Sequence, residues 1–520
     1  MMDVLNHRGP SVNSTYIKEG NYFGLVSDQV EEKNGEILLF DGLEKPSEGF
    51  NIEEITTPFA LAHFKEDTLT LARDPLGAKP LYWTFQEGLF LFASELKSLI
   101  ATKLFVLRLD QSSLSHYLSL GYCPINRTPF KEINKVLPGH KLIFSKEKEI
   151  FIRPFFSLSY HLRDKKTDWS EEEFDKIVNQ NFIKRDLEQK NVGRIHFEHL
   201  KDSKLSSSCK PLEIPSISFS EIAQNLPKLL WYQDEPLASS KMFSFYRLMQ
   251  EAKNQNCTDV VLEAGSLNWL NRHIHSPKLH MIKFSQLNRR FLHALLLSPP
   301  LRYFHPGSYY SFLRRLNTHP YHTKYILNQF IISPSEIQKL TKNKLSATDP
   351  EIIFHTFPPF ENMGTSFSSL FYLYQKTSLT NKYLMQYDRL ALPFNITCHT
   401  PYLDKNALIY LTSMPEERMQ KLFSRISKPR RKKNLFAMTT ILDQEKSRFL
   451  FSLLKKGVIV DNGIIDPKAL DALLRKNLDH PNSIRPLWAL LILEVWLRIF
   501  FETPLSIEPP EISLEELLRS

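Results

Sequence analysis

Cysteine is scarce and scattered. The four in 520 residues, Cys123, Cys209, Cys257 and Cys398, lie far apart, and no CxxC or Cys/His spacing puts any of them in a zinc-ligand register. Free thiols in a reducing compartment follow as the default. No apolar run is long enough to span a bilayer. The longest near the C-terminus, Leu487 to Phe501, contains Glu494 and Arg498, and a span needs about 20 apolar residues. That acid–base pair at i, i+4 suits a buried-faced helix instead. Met1-Met2-Asp3-Val4 carries no basic segment leading into an apolar one, so no signal peptide is expected and the cytoplasm is the expected location. Internal repeats and low-complexity tracts are also missing, which removes repeat architectures from consideration.

Interleaved aromatics are lacking where the charge is densest. The formal net charge is +9, and part of it sits in the run Arg425-Ile426-Ser427-Lys428-Pro429-Arg430-Arg431-Lys432-Lys433. Positive charge can steer anionic partners, but a nucleic-acid face would need stacking aromatics or a known motif. The run reads as a solvated basic loop, and neither nucleic acid nor membrane is an expected partner. Hydrophobic residues make up 42% and charged residues 24%, which is ordinary globular content. A chain of this length exceeds one compact core, so two or more domains are expected.

What is present begins with a string, Arg73-Asp74-Pro75-Leu76-Gly77-Ala78-Lys79-Pro80-Leu81-Tyr82, followed by Phe92-Ala93-Ser94-Glu95-Leu96-Lys97. The alternating run Leu69 to Ala72 reads as a strand, Asp-Pro-Leu-Gly as a turn, and Leu89 to Ala93 as a second strand. Other short strand-like runs are Gly35–Phe40, Phe59–Phe64, Leu81–Thr84, His140–Phe144 and Ile150–Phe155, punctuated by Pro and Gly. Beyond a charged segment, His161 to Glu173, expected to be a linker, the pattern turns helical. It does so around Phe174 to Asp186, then through Leu226–Trp231, Phe243–Met249, Leu370–Leu392, Leu470–Leu478 and Leu487–Phe501. One strand, Val260 to Leu262, interrupts it.

The literal strings carry more than the periodicity does. Together with His7-Arg8-Gly9-Pro10, Gly121-Tyr122-Cys123-Pro124 and Leu137-Pro138-Gly139-His140, the first region resembles the glutaminase domain of glutamine-hydrolysing asparagine synthetases and related class II amidotransferases. Asp234-Glu235-Pro236, Asp388-Arg389, Pro401-Tyr402-Leu403-Asp404, Met414-Pro415, Lys433-x-x-Phe436 and Leu487-Trp488 with Glu494-x-Trp496 follow in the order of that family's synthetase domain. The resemblance implies an α/β protein. Residues 1–160 would form an αββα domain of the N-terminal-nucleophile hydrolase type, truncated at its start. Residues 174–520 would form a helix-rich adenylating ATP-pyrophosphatase domain, with a deletion around 203–212. Residues 276–368 carry no motif.

The resemblance also implies chemistry that this chain does not spell. In the family a cysteine follows the initiator methionine, its thiolate attacks glutamine, and its own amine serves as base. Here Met2 follows Met1, and Cys123, being internal, has no free amine beside it. A start codon called too late is the alternative account of the missing cysteine. The family's Asn-Gly-Glu, which supplies an oxyanion donor, has two counterparts. Asn34-Gly35-Glu36 matches literally but precedes a strand and fits a hairpin turn. Asp41-Gly42-Leu43-Glu44 follows the strand, the family's context, and replaces the amide donor by an acceptor. Asp41, Gly42 and Glu44 are thus the remnant of the glutamine site.

The ATP site departs further. The glycine-rich phosphate loop is represented by Glu198-His199-Leu200-Lys201-Asp202-Ser203. Both glycines have become bulky, and Glu198 would repel phosphate by several kcal/mol at ~4 Å. A second family string appears as Leu262-Glu263-Ala264-Gly265-Ser266-Leu267-Asn268-Trp269. There Asn268 replaces a metal-binding Asp, Gly265 a catalytic Glu and Trp269 the next Glu. Asp202, Ser203, Asn268 and Lys433 are what remains of the site; no metal site and no cofactor are expected. The expected function is a non-catalytic family member kept for binding or assembly, with a second copy of the chain or another protein left open as partner. Two alternatives stay open. One is a working enzyme using glutamine, aspartate or a similar carboxylate, ATP and Mg²⁺. The other is a basic nucleic-acid-associated protein on an old enzyme scaffold.

Overall fold

The structure is a computed structural model that describes residues 1–8, 13–18, 21–26, 30–33, 36–43, 46, 49–162, 164–185, 187, 191–195, 210–212, 217–262, 326, 329–345, 371–415, 417–418, 451–478 and 484–519. The N-terminal half is built from strands β1 (Asn13–Lys18), β2 (Asn21–Val26), β3 (Val30–Lys33), β4 (Glu36–Gly42), β5 (Phe59–Lys65), β6 (Thr68–Arg73), β7 (Tyr82–Gln86), β8 (Leu89–Ala93), β9 (Asn134–Lys135), β10 (His140–Phe144) and β11 (Ile150–Pro154). Six of them form a sheet in the order β11-β10-β6-β5-β4-β3, and three form a second in the order β8-β7-β9.

Period-two alternation assigns the faces. Along β4, Ile37 and Leu39 join one cluster with Ala62, Leu71, Leu81, Val136 and the rings of Trp83 and Phe90. Leu38 and Phe40 turn the other way, to Phe59, Leu61 and Ala72. The first cluster fills the space between the two sheets. β3 and β4 pair antiparallel with Lys33 opposite Glu36, which places Asn34-Gly35 at the hairpin position the sequence suggests; those two residues lie outside the described ones.

Helix α1 (Leu96–Ile100) follows β8, and α2 (Gln111–Leu120) is delimited by its caps. The Asp110 carboxylate accepts from the Ser112 and Ser113 N–H groups at 3.3 and 3.1 Å. Gly121 ends the helix at φ 81°, the left-handed turn that glycine adopts without penalty. After α3 (Leu158–His161) comes α4 (Glu171–Lys184). The expected linker therefore ends earlier than Glu173. Ser170 accepts from the Glu173 N–H at 3.1 Å, and this cap recruits three glutamates into the first helical turn.

The C-terminal half holds a parallel sheet, β13-β12-β14-β15, from β12 (Val192–Ile195), β13 (Lys210–Pro211), β14 (Asp259–Leu262) and β15 (Thr397–His399). Helices α5 (Phe219–Gln233) and α6 (Lys241–Asn254) lead into β14. The expected helix from Leu370 to Leu392 is not uniform. Gln375–Leu384 is π-helical, and only then does α7 (Met385–Ala391) resume the tighter winding. Polar side chains enter the ladder there: the Thr380 hydroxyl donates to the Gln375 carbonyl at 2.8 Å and the Asn381 amide to the Thr377 carbonyl at 2.8 Å. Helix α8 (Lys405–Thr412) precedes the closing helix α9 (Arg485–Leu497).

Residues Leu487 to Leu497 of α9 are all buried, as expected of a helix apolar on every side. Its one acid is fully paired. Glu494 accepts from the Val458 and Ile459 N–H groups at 2.9 Å each and pairs with Arg498 at 2.7 Å. One core cluster spans the two halves, with Tyr82, Leu96, Leu114 and Tyr117 packed against Leu226, Trp231, Leu491 and Trp496. The Tyr117 hydroxyl donates to the Ala489 carbonyl at 2.8 Å.

Candidate functional site

The turn after β6 is held rigid by its own side chains. The Asp74 carboxylate accepts from the N–H groups of Leu76 at 3.0 Å, Ala78 at 3.1 Å and Lys79 at 3.0 Å. Arg73, buried, donates to the carbonyls of Gly77 and Lys79 at 2.7 Å each and of Val136 at 3.1 Å. Gly77 takes φ +66°, and a Cβ there would lie 2.7 Å from Pro138. This turn presents Lys79 to two carboxylates, Asp388 of α7 at 2.7 Å and Asp41 of β4 at 3.1 Å.

Arg8 closes the arrangement. Its guanidinium reaches Glu95 at 2.8 Å, Asp41 at 2.8 Å and Asp388 at 3.1 Å. Glu95 also meets His7 at 3.0 Å and pairs with Lys97. The network continues through Asp234, at the end of α5, which takes φ 70°, a strained value for a residue with a Cβ. Its carboxylate accepts the Lys97 N–H at 2.8 Å and faces Arg389 at 3.3 Å. Arg389 also bonds the Gln233 carbonyl and the Tyr82 hydroxyl. Tyr82 in turn bonds Glu235, which pairs with Lys135 at 3.0 Å. The Trp496 Nε1–H donates to the Asp234 carbonyl at 3.0 Å. Arg8, Lys79, Lys97, Lys135 and Arg389 thus match Asp41, Glu95, Asp234, Glu235 and Asp388, and their charges balance inside the junction between the two halves.

Titration follows this geometry. Burial pushes Asp41 up, but Lys79 and Arg8 outweigh it, and the carboxyl sits below its ordinary range. Burial likewise opposes ionisation of Glu95, yet the charges of His7 and Lys97, the hydrogen bond from His7 and the charge of Arg8 hold it well below its ordinary range. Asp234 goes the other way, raised by burial despite Lys97 and Arg389. A carboxyl lowered in the folded state contributes stability that is present above its unfolded value and lost as pH falls through the folded one. Asp41→Asn should therefore destabilise less as pH falls below the ordinary carboxylate range. Urea melts of parent and variant at neutral and acid pH measure this; a pH-independent difference would contradict it.

Of the residues read as remnants, Asp41 and Gly42 are described and lie at the end of β4. Glu44, Asp202, Ser203, Asn268 and Lys433 lie outside the described residues, as do Glu198, His199, Leu200, Gly265 and Trp269. Asp41 enters a network rather than standing as an open pocket wall. Arg8, Lys79, Glu95 and Asp388 were legible only as parts of matching strings; nothing in their spacing announces that they meet. Cys123 is buried, and its thiol is pushed up by that burial. Beside the network, between Thr57, Leu76, Leu384 and Lys405, lies a cavity of about 10 Å³, room for about one water.

Two family profiles match the chain. The glutamine amidotransferase domain covers residues 51–156, and asparagine synthase covers residues 215–498, more than half of the chain. The chain belongs to the asparagine synthase family. Glutamine-hydrolyzing asparagine synthetase 1 of Bacillus subtilis is 22% identical over 513 residues, spanning 87% of this chain and 80% of that protein. Glutamine-hydrolyzing asparagine synthetase 3 of the same organism is 40% identical over 132 residues, 25% of this chain and 20% of that protein. A putative glutamine-hydrolyzing asparagine synthetase 2 of Methanocaldococcus jannaschii is 29% identical over 150 residues, 28% of each chain. The fold agrees with membership of the asparagine synthase family: an amidotransferase domain of antiparallel sheets followed by a synthase domain around a parallel one. No helix among the described residues is long and apolar enough to cross a membrane.

Proposed function

We propose that this member of the asparagine synthase family is non-catalytic and is retained for binding or assembly. One observation carries the reading: Asp41 stands at the strand end where the family's asparagine would offer an amide donor, and both its oxygens are occupied, by Arg8 at 2.8 Å and Lys79 at 3.1 Å. An ionised carboxylate there has no proton to give an oxyanion and repels one. The low titration of Asp41 keeps it ionised at neutral pH. The sequence around the phosphate loop supports the same reading in the other half. Glu198, His199 and Leu200 replace a glycine cradle, and Asn268 replaces a charged metal ligand.

The test separates the two centres. The full-length chain is expected to release no glutamate from glutamine. It is also expected to release no pyrophosphate from ATP with Mg²⁺, aspartate and ammonia, an assay that bypasses the glutaminase. Turnover in either assay above buffer would overturn the reading for that centre.

A second reading, an active ATP-dependent amidotransferase, draws on the Lys79–Asp388 and Arg8–Asp388 pairs. They hold two chemically distinct halves in fixed register, as passing a product between two centres requires. Pyrophosphate release in the second assay is its signature.

A further inference from the structure

The outer edge of β11 is open. β11 closes one side of the six-stranded sheet, and no strand among the described residues pairs with its far edge. The Ser145 N–H donates to the Glu149 carbonyl at 3.0 Å, and the Phe155 N–H to the Gly139 carbonyl at 2.9 Å. Odd-numbered backbone groups along β11 therefore face β10, and the N–H and C=O groups of Ile150 and Ile152 point off the sheet. Such an edge is a template for another strand, and proteins commonly blunt it with charge. β3, at the opposite edge, carries Glu31, Glu32 and Lys33. β11 instead reads Ile150-Phe151-Ile152-Arg153-Pro154, with Phe151 41% and Ile152 46% exposed.

The second sheet runs out at the same rim. β8 is its edge strand, Leu89 at the start of β8 is 44% exposed, and Phe90 stacks on Phe144 of β10 at 4.5 Å. Ile150 joins Phe90 and Phe144 in the cluster between the sheets. Alternation puts Ile152 on that same face, and Glu149, Phe151 and Arg153 on the other. The core between the layers thus ends at this rim on apolar side chains.

The edge is complementary to itself. Two copies of β11, antiparallel about a two-fold axis at Phe151, set Ile150 opposite Ile152 of the second copy and Glu149 opposite its Arg153. Ile150 and Ile152 then exchange both backbone hydrogen bonds, and the symmetry repeats the exchange and the ion pair. Glu149 and Arg153 are exposed, and among the described residues neither side chain has a salt-bridge partner. Pro154, which lacks an N–H, falls outside the paired residues and so ends the ladder without interrupting it. An axis at Ile152 would instead set Arg153 opposite Phe151 and leave the Glu149 carboxylate and the Ile150 carbonyl unanswered.

We propose that the β11 edge is a homodimer interface, joining the six-stranded sheets of two copies of this chain about a two-fold axis at Phe151. The occupant is a second copy because the charge pattern of β11 answers itself. The inference stands whether or not either catalytic centre turns over. The five residues of β11 fall short of the ~20–30 residues a side of a standard interface. A reversible dimer with a dissociation constant of about 1–100 μM is therefore expected.

Sedimentation velocity of the full-length chain across that concentration range tests the proposal. Glu149→Arg and Arg153→Glu are each expected to weaken the dimer by about tenfold or more, since each turns both ion pairs into repulsions. The two substitutions together should restore it. Ile152→Pro removes an N–H that points away from β10, so it should abolish the dimer and leave the melting temperature of the monomer unchanged. Phe151→Cys brings two thiols together across the axis, with Cα atoms about 4.5 Å apart, and air oxidation should link the copies by a disulfide. A chain that stays monomeric up to about 100 μM, leaving the edge to a strand of another protein, would overturn the proposal. So would a dimer indifferent to Ile152→Pro, or a double charge swap that dimerises as weakly as the single substitutions.

Discussion

Replacing Arg389 with methionine is expected to cost about 3–5 kcal/mol of stability, the usual penalty for removing one partner of a buried ion pair. Arg389 is fully buried and binds Asp234 at 3.3 Å, the Gln233 carbonyl and the Tyr82 hydroxyl. Asp234 already titrates above its ordinary value because of burial, even with two cations beside it. Without Arg389 it must either protonate or stay charged beside Glu95. Lysine should not rescue the loss, since one ammonium cannot serve three acceptors set in a fork. Because Tyr82 comes from β7 and Asp234 from the end of α5, the damage falls on the junction. Calorimetry of the variant should show the two halves losing cooperativity as well as stability. A cost below about 1 kcal/mol, the range of surface ion pairs, would show that the network is not a structural bond between the halves.

Trp496→Ala is expected to cost a comparable ~3–5 kcal/mol, as large aromatic truncations in cores do. Its ring is fully buried, 5.4 Å from Phe130 and 5.2 Å from Phe500. Its Nε1–H is also the donor to the Asp234 carbonyl at 3.0 Å, so truncation opens a cavity and orphans a buried acceptor together. Trp496→Phe separates the two. It keeps most of the packing and loses the hydrogen bond, and should cost about 1–3 kcal/mol. Equal costs for the two substitutions would assign the whole effect to the hydrogen bond. The carbonyl belongs to the residue whose carboxylate faces Arg389, so the two sites should couple. The double variant should cost less than the sum of the singles.

Both substitutions act on the same feature. His7-Arg8, the Asp74 to Lys79 turn, Glu95 to Lys97, Asp234-Glu235 and Asp388-Arg389 are separate strings in the sequence and one charge-balanced cluster in the fold. The matching strings therefore mark the junction between the halves, and on the function proposed above the departures at Asp41 and Glu198–Asn268 mark the chemistry. A protein that keeps the first and changes the second keeps its architecture.

The sequence by itself determined the elements. Alternation placed β4 to β8, β10 and β11, because a period of two survives wherever a strand has one face on a core. Helical periodicity placed α5, α6 and α9, and the strings identified the family. Some local signals were present but unused, such as Ser333-Pro334-Ser335-Glu336, a capping box with proline at the first helical position, which opens the helix Pro334–Leu340. What only the tertiary structure decided is which charges meet. Arg8 and Asp388 are 380 positions apart and lie 3.1 Å from each other, and no local pattern encodes that. The π-helical stretch at Gln375–Leu384 was equally out of reach, since buried side chains, not propensity, open its ladder. Charge in a sequence is a sum; in a folded interior each charge must be paired one by one, and only the fold shows where that pairing is incomplete.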